Sequence, residues 1–391
     1  MNAQLDMDDD GLDWLALSDP DMCTEELEAV IMTLRSSRLS AGPQVEGFEM
    51  AFAHWLDRKH AAAVASGTMG LCLALKVMDI GPGDEVLTSA YAWHQIAHAI
   101  TIVGATPILV DIDYWSGCIE PTKIADRITP RTKAILASNV NGHPADWQAL
   151  RALADEHGLR LIEDSTETIG SRYQGKLTGS FGDVAIFDFS QPSALCCGQG
   201  GMVVTDDPHL ASELAYLRER RLSDRQSVSV GSRVPWQASM SDLDAAVGLV
   251  QLKRIDEILA RRKEVEHWYH EQIQTFEGIK PPYLAEHIDE VHWMLYKIHL
   301  GKRFTGSARN QIIEDMDTNA VECAIYCSPL HQQFYYQQLG WKRGQLNNTE
   351  RIADRSLVLP FHGHLTADQV RYIVKTLKDA SLNIGAGAAI Y

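Results

Sequence analysis

The stretch FDFSQPSALCCGQGG, residues 187–201, joins a strand-like apolar run to a glycine-rich turn. In α/β proteins a turn at the end of a strand commonly carries a group that handles a cofactor or substrate. After Asp188, however, this turn offers only hydroxyl, amide and thiol side chains, among them Ser190, Gln191 and Ser193. A serine hydroxyl is a poor base near neutral pH unless a neighbour activates it, so the loop predicts hydrogen bonding and little acid–base chemistry of its own.

The cysteines do not form a pattern that predicts a metal site or a disulfide framework. The chain has seven of them, an odd number, and in a chain of this length that favours reduced thiols. Cys196 and Cys197 are adjacent, and Cys323 and Cys327 lack CxxC spacing. Adjacent thiols cannot easily share one zinc ion, so we expect no metal and interpret these side chains as small buried hydrophobes.

Charge and composition favour a small-molecule ligand. The net charge is -17 and the pI is ≈ 5.3, whereas a nucleic acid or an anionic membrane surface needs clustered lysine and arginine. The acidic N-terminal segment resembles no export signal, and no apolar run is long enough to cross a bilayer. We therefore expect a cytoplasmic protein with neither a nucleic-acid nor a membrane partner.

Seven short apolar runs alternate with helix-period stretches through the first half of the chain: AAAVASG, DEVLTSA, TPILVDI, TKAILASNV, RLIEDS, VAIFDFS and GMVVTDD. Uniformly apolar strands between helices are typical of a mainly parallel sheet covered on both faces. The pattern predicts an α/β fold with a seven-stranded sheet. Because ligands of such folds bind beyond the carboxyl ends of the strands, we expect Ser66-Gly67, SAYAW, Glu163-Asp164 and residues 187–201 to meet at one cleft.

The second half begins with a long helical pattern, SDLDAAVGLVQLKRIDEILARRKEVEHWYHEQIQTF, for which Ser241 is a suitable N-cap. A further amphipathic helix, LTADQVRYIVKTLKDA, follows near the C-terminus. We predict a large domain over residues 1–254 and a smaller α+β domain over residues 255–391.

Ordered motifs from about residue 40 to residue 378 resemble the DegT/DnrJ/EryC1/StrS family. The motifs include LSAGPQVEGFEMAFAHWLDRKHAAAVASGTMGLCLAL, GPGDEVLTSAYAWHQIAHAITIVGATPILVDID, RLIEDSTETIGSRYQGKLTGSFGDVAIFDF, YCSPLHQQFYYQQLG and ADRSLVLPFHGHLTADQV. The resemblance implies the fold-type I pyridoxal-phosphate (PLP) architecture and an origin among enzymes that mostly aminate keto sugars on nucleotide carriers.

The resemblance also implies roles for residues at the predicted strand ends. It places the cofactor phosphate at Gly67 and Thr68, whose N–H groups open a helix and favour an anion. Trp93 matches an aromatic residue that stacks on the pyridine ring, Asp164 a carboxylate that keeps the pyridine nitrogen protonated, and His331 a histidine of the small domain. From the residues alone, an ordinary strand-to-helix turn, a core tryptophan, a solvated strand end and a structural histidine remain alternatives.

Two departures from the family lie in the stretch that opens this section. The family lysine that forms the internal aldimine falls at Ser193, and a hydroxyl cannot form that imine, so we expect ordinary transamination to be crippled. The phosphate-binding serine of the family's FSF motif falls at Asp188. A carboxylate about 4 Å from a phosphate charge costs on the order of 4 kcal/mol at an effective dielectric constant near 20.

Smaller departures add to these. Gln199 replaces the glutamate of the family's GEGG motif, and Glu167 replaces a glutamine or histidine. Gln237 and Ser239 stand where the family usually has an asparagine and an arginine that reach toward the neighbouring subunit's cofactor. Any PLP, or its aminated form PMP, is therefore expected to be bound non-covalently, with Gln237 among its contacts, or not at all.

Three hypotheses follow from the family and its departures. The first is a lysine-independent enzyme of deoxy-sugar, aminocyclitol or antibiotic biosynthesis with a sugar-like substrate, as a homodimer. The second is an inactive pseudo-subunit that pairs with an intact aminotransferase paralogue, and the third is residual PLP- or PMP-dependent aminotransfer. The candidate catalytic residues are Ser193, Asp188, Asp164, Glu167 and His94, and the candidate substrate contacts are His331 and Ser190.

Overall fold

The computed structural model describes residues 14–219, 234–274, 278–286 and 288–386. The described strands are β1 (His60–Val64), β2 (Glu85–Ser89), β3 (Thr106–Val110), β4 (Thr132–Ser138), β5 (Arg160–Asp164), β6 (Arg172–Tyr173), β7 (Lys176–Leu177), β8 (Val184–Asp188), β9 (Gly201–Thr205), β10 (Ile279–Lys280), β11 (Tyr296–Leu300) and β12 (Ser356–Leu359). The described helices are α1 (Thr24–Leu34), α2 (Pro43–Leu56), α3 (Gly67–Val77), α4 (His94–Ile102), α5 (Trp147–His157), α6 (Pro208–Arg218), α7 (Asp242–Lys253), α8 (Ile255–Ile273), α9 (Gly306–Thr318), α10 (Phe334–Gln338), α11 (Asn347–Arg355) and α12 (Ala367–Ser381).

Each of the seven apolar runs forms a strand of one sheet, in the order β1-β9-β8-β5-β4-β2-β3. Neighbouring strands are parallel from β8 to β3, whereas β9 is antiparallel to both β1 and β8. The predicted mainly parallel, seven-stranded α/β architecture is thus confirmed. Since β1, β2, β5 and β8 run in the same direction, their carboxyl ends share one edge of the sheet.

Helices cover both faces of this sheet, which is why its strands are apolar throughout. Side chains of α3, α4 and α6 pack on one face, with Leu73 and Ile100 fully buried there. On the other face, Phe48 and Phe52 of α2 pack against Phe187 of β8. The sheet is therefore packed on both faces, and this packing fixes the strand ends whose side chains lie at its edge.

The long helical pattern that begins after Ser241 forms two helices instead of one. Ser241 caps α7 as predicted, and its Oγ accepts the Asp244 N–H at 3.1 Å. The break falls at Arg254, which leaves helical geometry with φ -94° and ψ 3°. It coincides with the predicted domain boundary, and that division remains a prediction.

Beyond α8, a second sheet forms in the order β10-β11-β12, with antiparallel pairing throughout. Ile312 of α9 and Ile373 of α12 are fully buried in the hydrophobic cluster that also contains Ile298 of β11. No helix in the described parts of the chain is both long and apolar enough to span a membrane.

Candidate functional site

A cleft lies at the carboxyl edge of the main sheet. It is bounded by the first turns of α3 and α4, the ends of β5 and β8, and the loops that follow those two strands. The residues that line it are Gly67, Thr68, Leu71, Trp93, Gln95, Ile96, Asp164, Thr166, Glu167, Ile186, Asp188, Ser190, Gln191, Pro192 and Met294. The strand ends that the sequence predicted to converge do meet here.

Asp188 places its carboxylate against the start of α3. The Gly67 N–H donates to Asp188 Oδ2 at 2.6 Å, and the Ser190 N–H donates to Oδ1 at 2.8 Å. The Ser190 hydroxyl donates to the same Oδ1. A helix N-terminus carries unpaired N–H groups and a partial positive charge, so an internal carboxylate is well stabilised in this position.

The phosphate of PLP would need this same position. With the Gly67 N–H bound to Asp188, the first donor of α3 is already used, and the carboxylate would stand beside the incoming phosphate charge. Of the described residues that line the cleft, none is lysine, arginine or histidine. The residues present therefore do not fit a phosphorylated cofactor, although Trp93 and Asp164 both line the cleft as the family resemblance implies.

Asp164 ends β5 with its side chain directed to the cleft. The N–H and hydroxyl of Thr166 donate to its Oδ1 at 3.1 Å and 2.7 Å. Burial raises the pKa of Asp164 to about 6, although both hydrogen bonds from Thr166 lower it. The nearby negative charges of Asp188 and Glu163 contribute to the increase. Asp164 is thus ionised for the most part at neutral pH, with a proton affinity well above that of a solvated aspartate.

Glu167 lies one turn beyond β5 in the same cleft. Its Oε2 accepts bonds from the Asn141 N–H and from the Tyr326 hydroxyl. Burial raises the pKa of Glu167 to about 7 in spite of these bonds, and the charge of Asp164 adds to the increase. Glu167 therefore keeps its proton to a clearly higher pH than a solvated glutamate does.

Glu163, the residue before Asp164, has a different role. Strand alternation turns its side chain to the opposite face of the sheet. There, Oε2 accepts the N–H groups of Phe181 at 2.8 Å and Gly182 at 3.0 Å, and Oε1 accepts the Ser165 hydroxyl at 2.8 Å. Glu163 organises the loop before β8 and takes no part in the cleft.

The remaining candidates lie outside the lining of the cleft. Ser193 is half-buried, and its Oγ accepts the Leu195 N–H at 3.3 Å. His94 is exposed beside Trp93, with their rings 6.1 Å apart. Gln237 is exposed on the chain surface. A serine side chain is short, and that of Ser193 is not among the side chains that line the cleft.

His331 is fully buried in the turn Leu330–Gln332, away from the cleft lining. Its Nε2 lies 2.9 Å from Glu350 Oε1. The Gly344 N–H also donates to that carboxylate oxygen, at 2.6 Å. His331 thus pairs with Glu350 through Nε2 and does not line the cleft, and the predicted substrate contact of His331 stays a prediction.

Sequence reasoning did not single out Tyr326, Asn141 and Thr166, the partners of the two cleft carboxyls. Thr166 had a local signal, since a hydroxyl two residues after Asp164 readily bonds to that carboxylate. Tyr326 and Asn141 reach Glu167 only through the tertiary fold, at sequence separations of 159 and 26 residues. No spacing rule within one sequence would have paired them.

Comparison with known proteins matches the chain over nearly its full length. The model of the DegT/DnrJ/EryC1/StrS aminotransferase family covers residues 20–378. The spore coat polysaccharide biosynthesis protein SpsC of Bacillus subtilis (strain 168) is 35% identical over 378 residues, which cover 94% of this chain and 97% of SpsC.

Solved structures agree with the family match. The PLP-form of the putative sugar aminotransferase Spr1654 from Streptococcus pneumoniae has a TM-score of 0.89 at 25% identity, over 95% of this chain and 100% of that one. DesV of S. venezuelae, in complex with a ketimine intermediate, has a TM-score of 0.84 at 32% identity, over 92% of this chain and 94% of that one. With its motifs, sheet order and strand-end cleft all in place, the chain belongs to the DegT/DnrJ/EryC1/StrS aminotransferase family.

Proposed function

We propose that this protein is an enzyme that works without a Schiff-base lysine and carries out general acid–base chemistry on a sugar-like substrate. The observation that carries the proposal is that Asp164 and Glu167 line one cleft with raised pKa values of about 6 and about 7. Two carboxyl groups with raised pKa values that line one cleft can supply a base and an acid near neutral pH.

The relatives support the class of substrate. SpsC is named for polysaccharide biosynthesis, and Spr1654 is described as a putative sugar aminotransferase. We therefore place this chain in the biosynthesis of a modified sugar, an aminocyclitol or an antibiotic that contains one.

In the proposed reaction Asp164 is the base and Glu167 the acid. Asp164 has the lower pKa and takes a proton from a carbon next to a carbonyl of the substrate. Glu167 Oε2 is fixed by Asn141 and Tyr326, so Oε1 is the oxygen that delivers a proton to the carbonyl oxygen of the substrate, which gives the enol. In the reverse direction Glu167 takes that proton back, and Asp164 returns a proton, exchanged with solvent, to the carbon. Trp93 stacks on the C–H face of the sugar ring from the side of the cleft.

This proposal has no role for Ser193 and needs no phosphorylated cofactor. The Ser193 hydroxyl, bonded to the N–H two residues ahead, has neither the amine nor the position for imine chemistry. Because Asp188 already holds the first N–H of α3, residual PLP- or PMP-dependent aminotransfer has less support than cofactor-independent proton transfer.

Solvent deuterium exchange tests the proposal directly. The protein is incubated in heavy water with a panel of nucleotide-linked keto sugars, and mass spectrometry measures deuterium incorporation at carbon. We expect a bell-shaped pH profile with limbs near the pKa values of about 6 for Asp164 and about 7 for Glu167. Glu167→Gln and Asp164→Asn should each slow exchange by about 10²- to 10⁴-fold.

The matched control is Glu264→Gln, which changes an exposed glutamate on α8 and should leave the exchange rate unaltered. Exchange that persists at full rate in Glu167→Gln and Asp164→Asn would refute the assignment of base and acid. If the wild-type protein exchanges no substrate of the panel, the acid–base proposal loses its support.

The pseudo-subunit is the second candidate, and exposed apolar side chains favour it. Leu27 and Met32 of α1 are 60% and 64% exposed, and Met50 of α2 is 70% exposed. Apolar groups this exposed are suited to contact with a second chain, either a copy of this one or an intact paralogue. Native mass spectrometry separates the two: an active homodimer supports the enzyme, and an obligate complex with a lysine-bearing paralogue supports the pseudo-subunit.

A further inference from the structure

The backbone at the start of α3 and the Asp188 side chain are in close contact. The Gly67 N–H donates to Oδ2 at 2.6 Å. A Cβ atom on Gly67 would lie 2.7 Å from Asp188 Cβ and 2.9 Å from Oδ2, closer than side-chain carbons normally approach. The carboxylate thus sits directly on the helix terminus, and no phosphoryl group can be placed between them.

Asp188 is held in this position from its other sides as well. Its own N–H donates to Thr166 Oγ1 at 3.1 Å, and Ser190 donates two bonds to Oδ1. Both carboxylate oxygens therefore have partners before any ligand arrives. A phosphate that took the Gly67 N–H would have to displace a carboxylate held by several bonds, and both anions would then compete for the same donors.

The charges around the cleft add to this barrier. Among the described lining residues the ionisable groups are Asp164, Glu167 and Asp188, all carboxyls. The buried Lys297 lies near Glu167 and lowers its pKa, but it is not among the residues that line the cleft. A phosphate monoester carries close to two negative charges at neutral pH. A neutral or cationic ring meets no such repulsion, and its hydroxyl groups can donate to the same carboxylates.

We propose that Asp188 is a built-in anion that takes the place of a ligand phosphoryl group. The cleft accepts a ring ligand that bears free hydroxyl groups and excludes the phosphate monoester of that ligand. This inference rests on the cleft of the proposed function, since it names the class of ligand which that cleft takes. It does not depend on which residue acts as base or acid.

Pyridoxamine and pyridoxamine 5′-phosphate are a suitable pair of probes, because they differ only in the phosphoryl group. Isothermal titration calorimetry compares their binding to the wild-type protein, to Asp188→Ser and to Asp188→Asn. Asp188→Asn retains the shape and one acceptor oxygen without the charge, so it remains informative if Asp188→Ser does not fold. The matched control is Asp207→Asn, because Asp207 caps α6 by accepting the His209 N–H at 2.8 Å, outside the cleft lining.

We expect the wild-type protein and Asp207→Asn to bind the phosphate ester at least about tenfold more weakly than the free alcohol. Asp188→Ser should gain on the order of 10²-fold or more in affinity for the ester, and Asp188→Asn should gain a smaller amount, because the charge repulsion is gone. Inorganic phosphate should raise the Tm of Asp188→Ser and leave that of the wild-type protein unchanged.

The inference is overturned if the wild-type protein binds the ester as tightly as the alcohol. It is also overturned if neither Asp188 variant gains affinity for the ester. Binding is measured without turnover, so a missing deuterium exchange would remove the proposed function and leave this result intact.

Discussion

Replacement of Glu167 by glutamine measures how far burial disfavours the ionised form of this side chain. The folded protein raises the pKa of Glu167 from 4.5 to about 7, which corresponds to about 3 kcal/mol of lost stability once the group is ionised. Glutamine keeps an amide oxygen that can accept the bonds from Tyr326 and Asn141, and it never ionises. The variant therefore isolates the charge from the shape.

The sign follows from the raised pKa. Below pH 4.5 Glu167 is protonated in both the folded and the unfolded protein, so the wild-type protein and Glu167→Gln should have similar stability. As the pH rises, the unfolded chain ionises first, and the wild-type protein loses stability until the pH passes the folded pKa of about 7. Above that pH the variant should be the more stable protein.

The size of the effect can be stated as a melting temperature. At about 2.1 cal/mol/K per residue, the unfolding entropy of a 391-residue chain makes 3 kcal/mol equivalent to about 4 °C. Differential scanning fluorimetry from pH 5 to pH 8 should show the Tm of Glu167→Gln rising by about that amount relative to the wild-type protein. Glu264→Gln, at an exposed position, should have the same dependence of Tm on pH as the wild-type protein. If the Tm of all three proteins varies identically with pH, ionisation of a buried Glu167 does not destabilise the folded protein.

Two further predictions concern buried structural charges outside the cleft. Arg254 pairs with Asp21 and Glu26 at 2.7 Å each, so Arg254→Ala should lower the free energy of unfolding in urea by about 3 kcal/mol. Arg254→Lys should recover only part of that stability, because lysine lacks the planar guanidinium group that can bind both carboxylates. Equal stability of the Ala variant and the wild type would contradict this. Glu163→Gln should lower the free energy of unfolding by about 2 kcal/mol, because the NH₂ group of the glutamine would face backbone donors such as the Gly182 N–H. A change in that free energy within about 0.5 kcal/mol would show that those bonds contribute little.

The sheet could be predicted from the sequence because its strands are buried on both faces. Each apolar run lies between helices, and the alternation predicts parallel neighbours with their carboxyl ends at one edge. That was enough to predict from the sequence alone that Asp164, Asp188 and Gly67 meet at one cleft. Trp93 followed for the same reason, since it lies in the short segment between the end of β2 and the start of α4.

The break at Arg254 could not be predicted, because helical periodicity continues on both sides of it. At the break, Arg254 donates to Glu26 of α1, a contact between residues more than 200 positions apart in sequence that periodicity does not reveal. The position of His331 was equally hidden. Its burial against Glu350 is a tertiary contact. A histidine in the sequence predicts a functional site and a buried structural position equally well.

Under the proposed function, Ser193 at the position of the family lysine and Asp188 at the position of the family's phosphate-binding serine would change one site in two complementary ways. Loss of the lysine removes the covalent anchor for a cofactor, and a phosphate slot left empty would then leave the first N–H of α3 without a partner. Asp188 supplies that partner from within the chain, bonded to Gly67 at 2.6 Å. The carboxylate thus stabilises the helix terminus that a ligand would otherwise complete. The chain keeps the family fold, and on the proposed function Asp164 and Glu167, which line the cleft, would be the reactive groups in place of an imine.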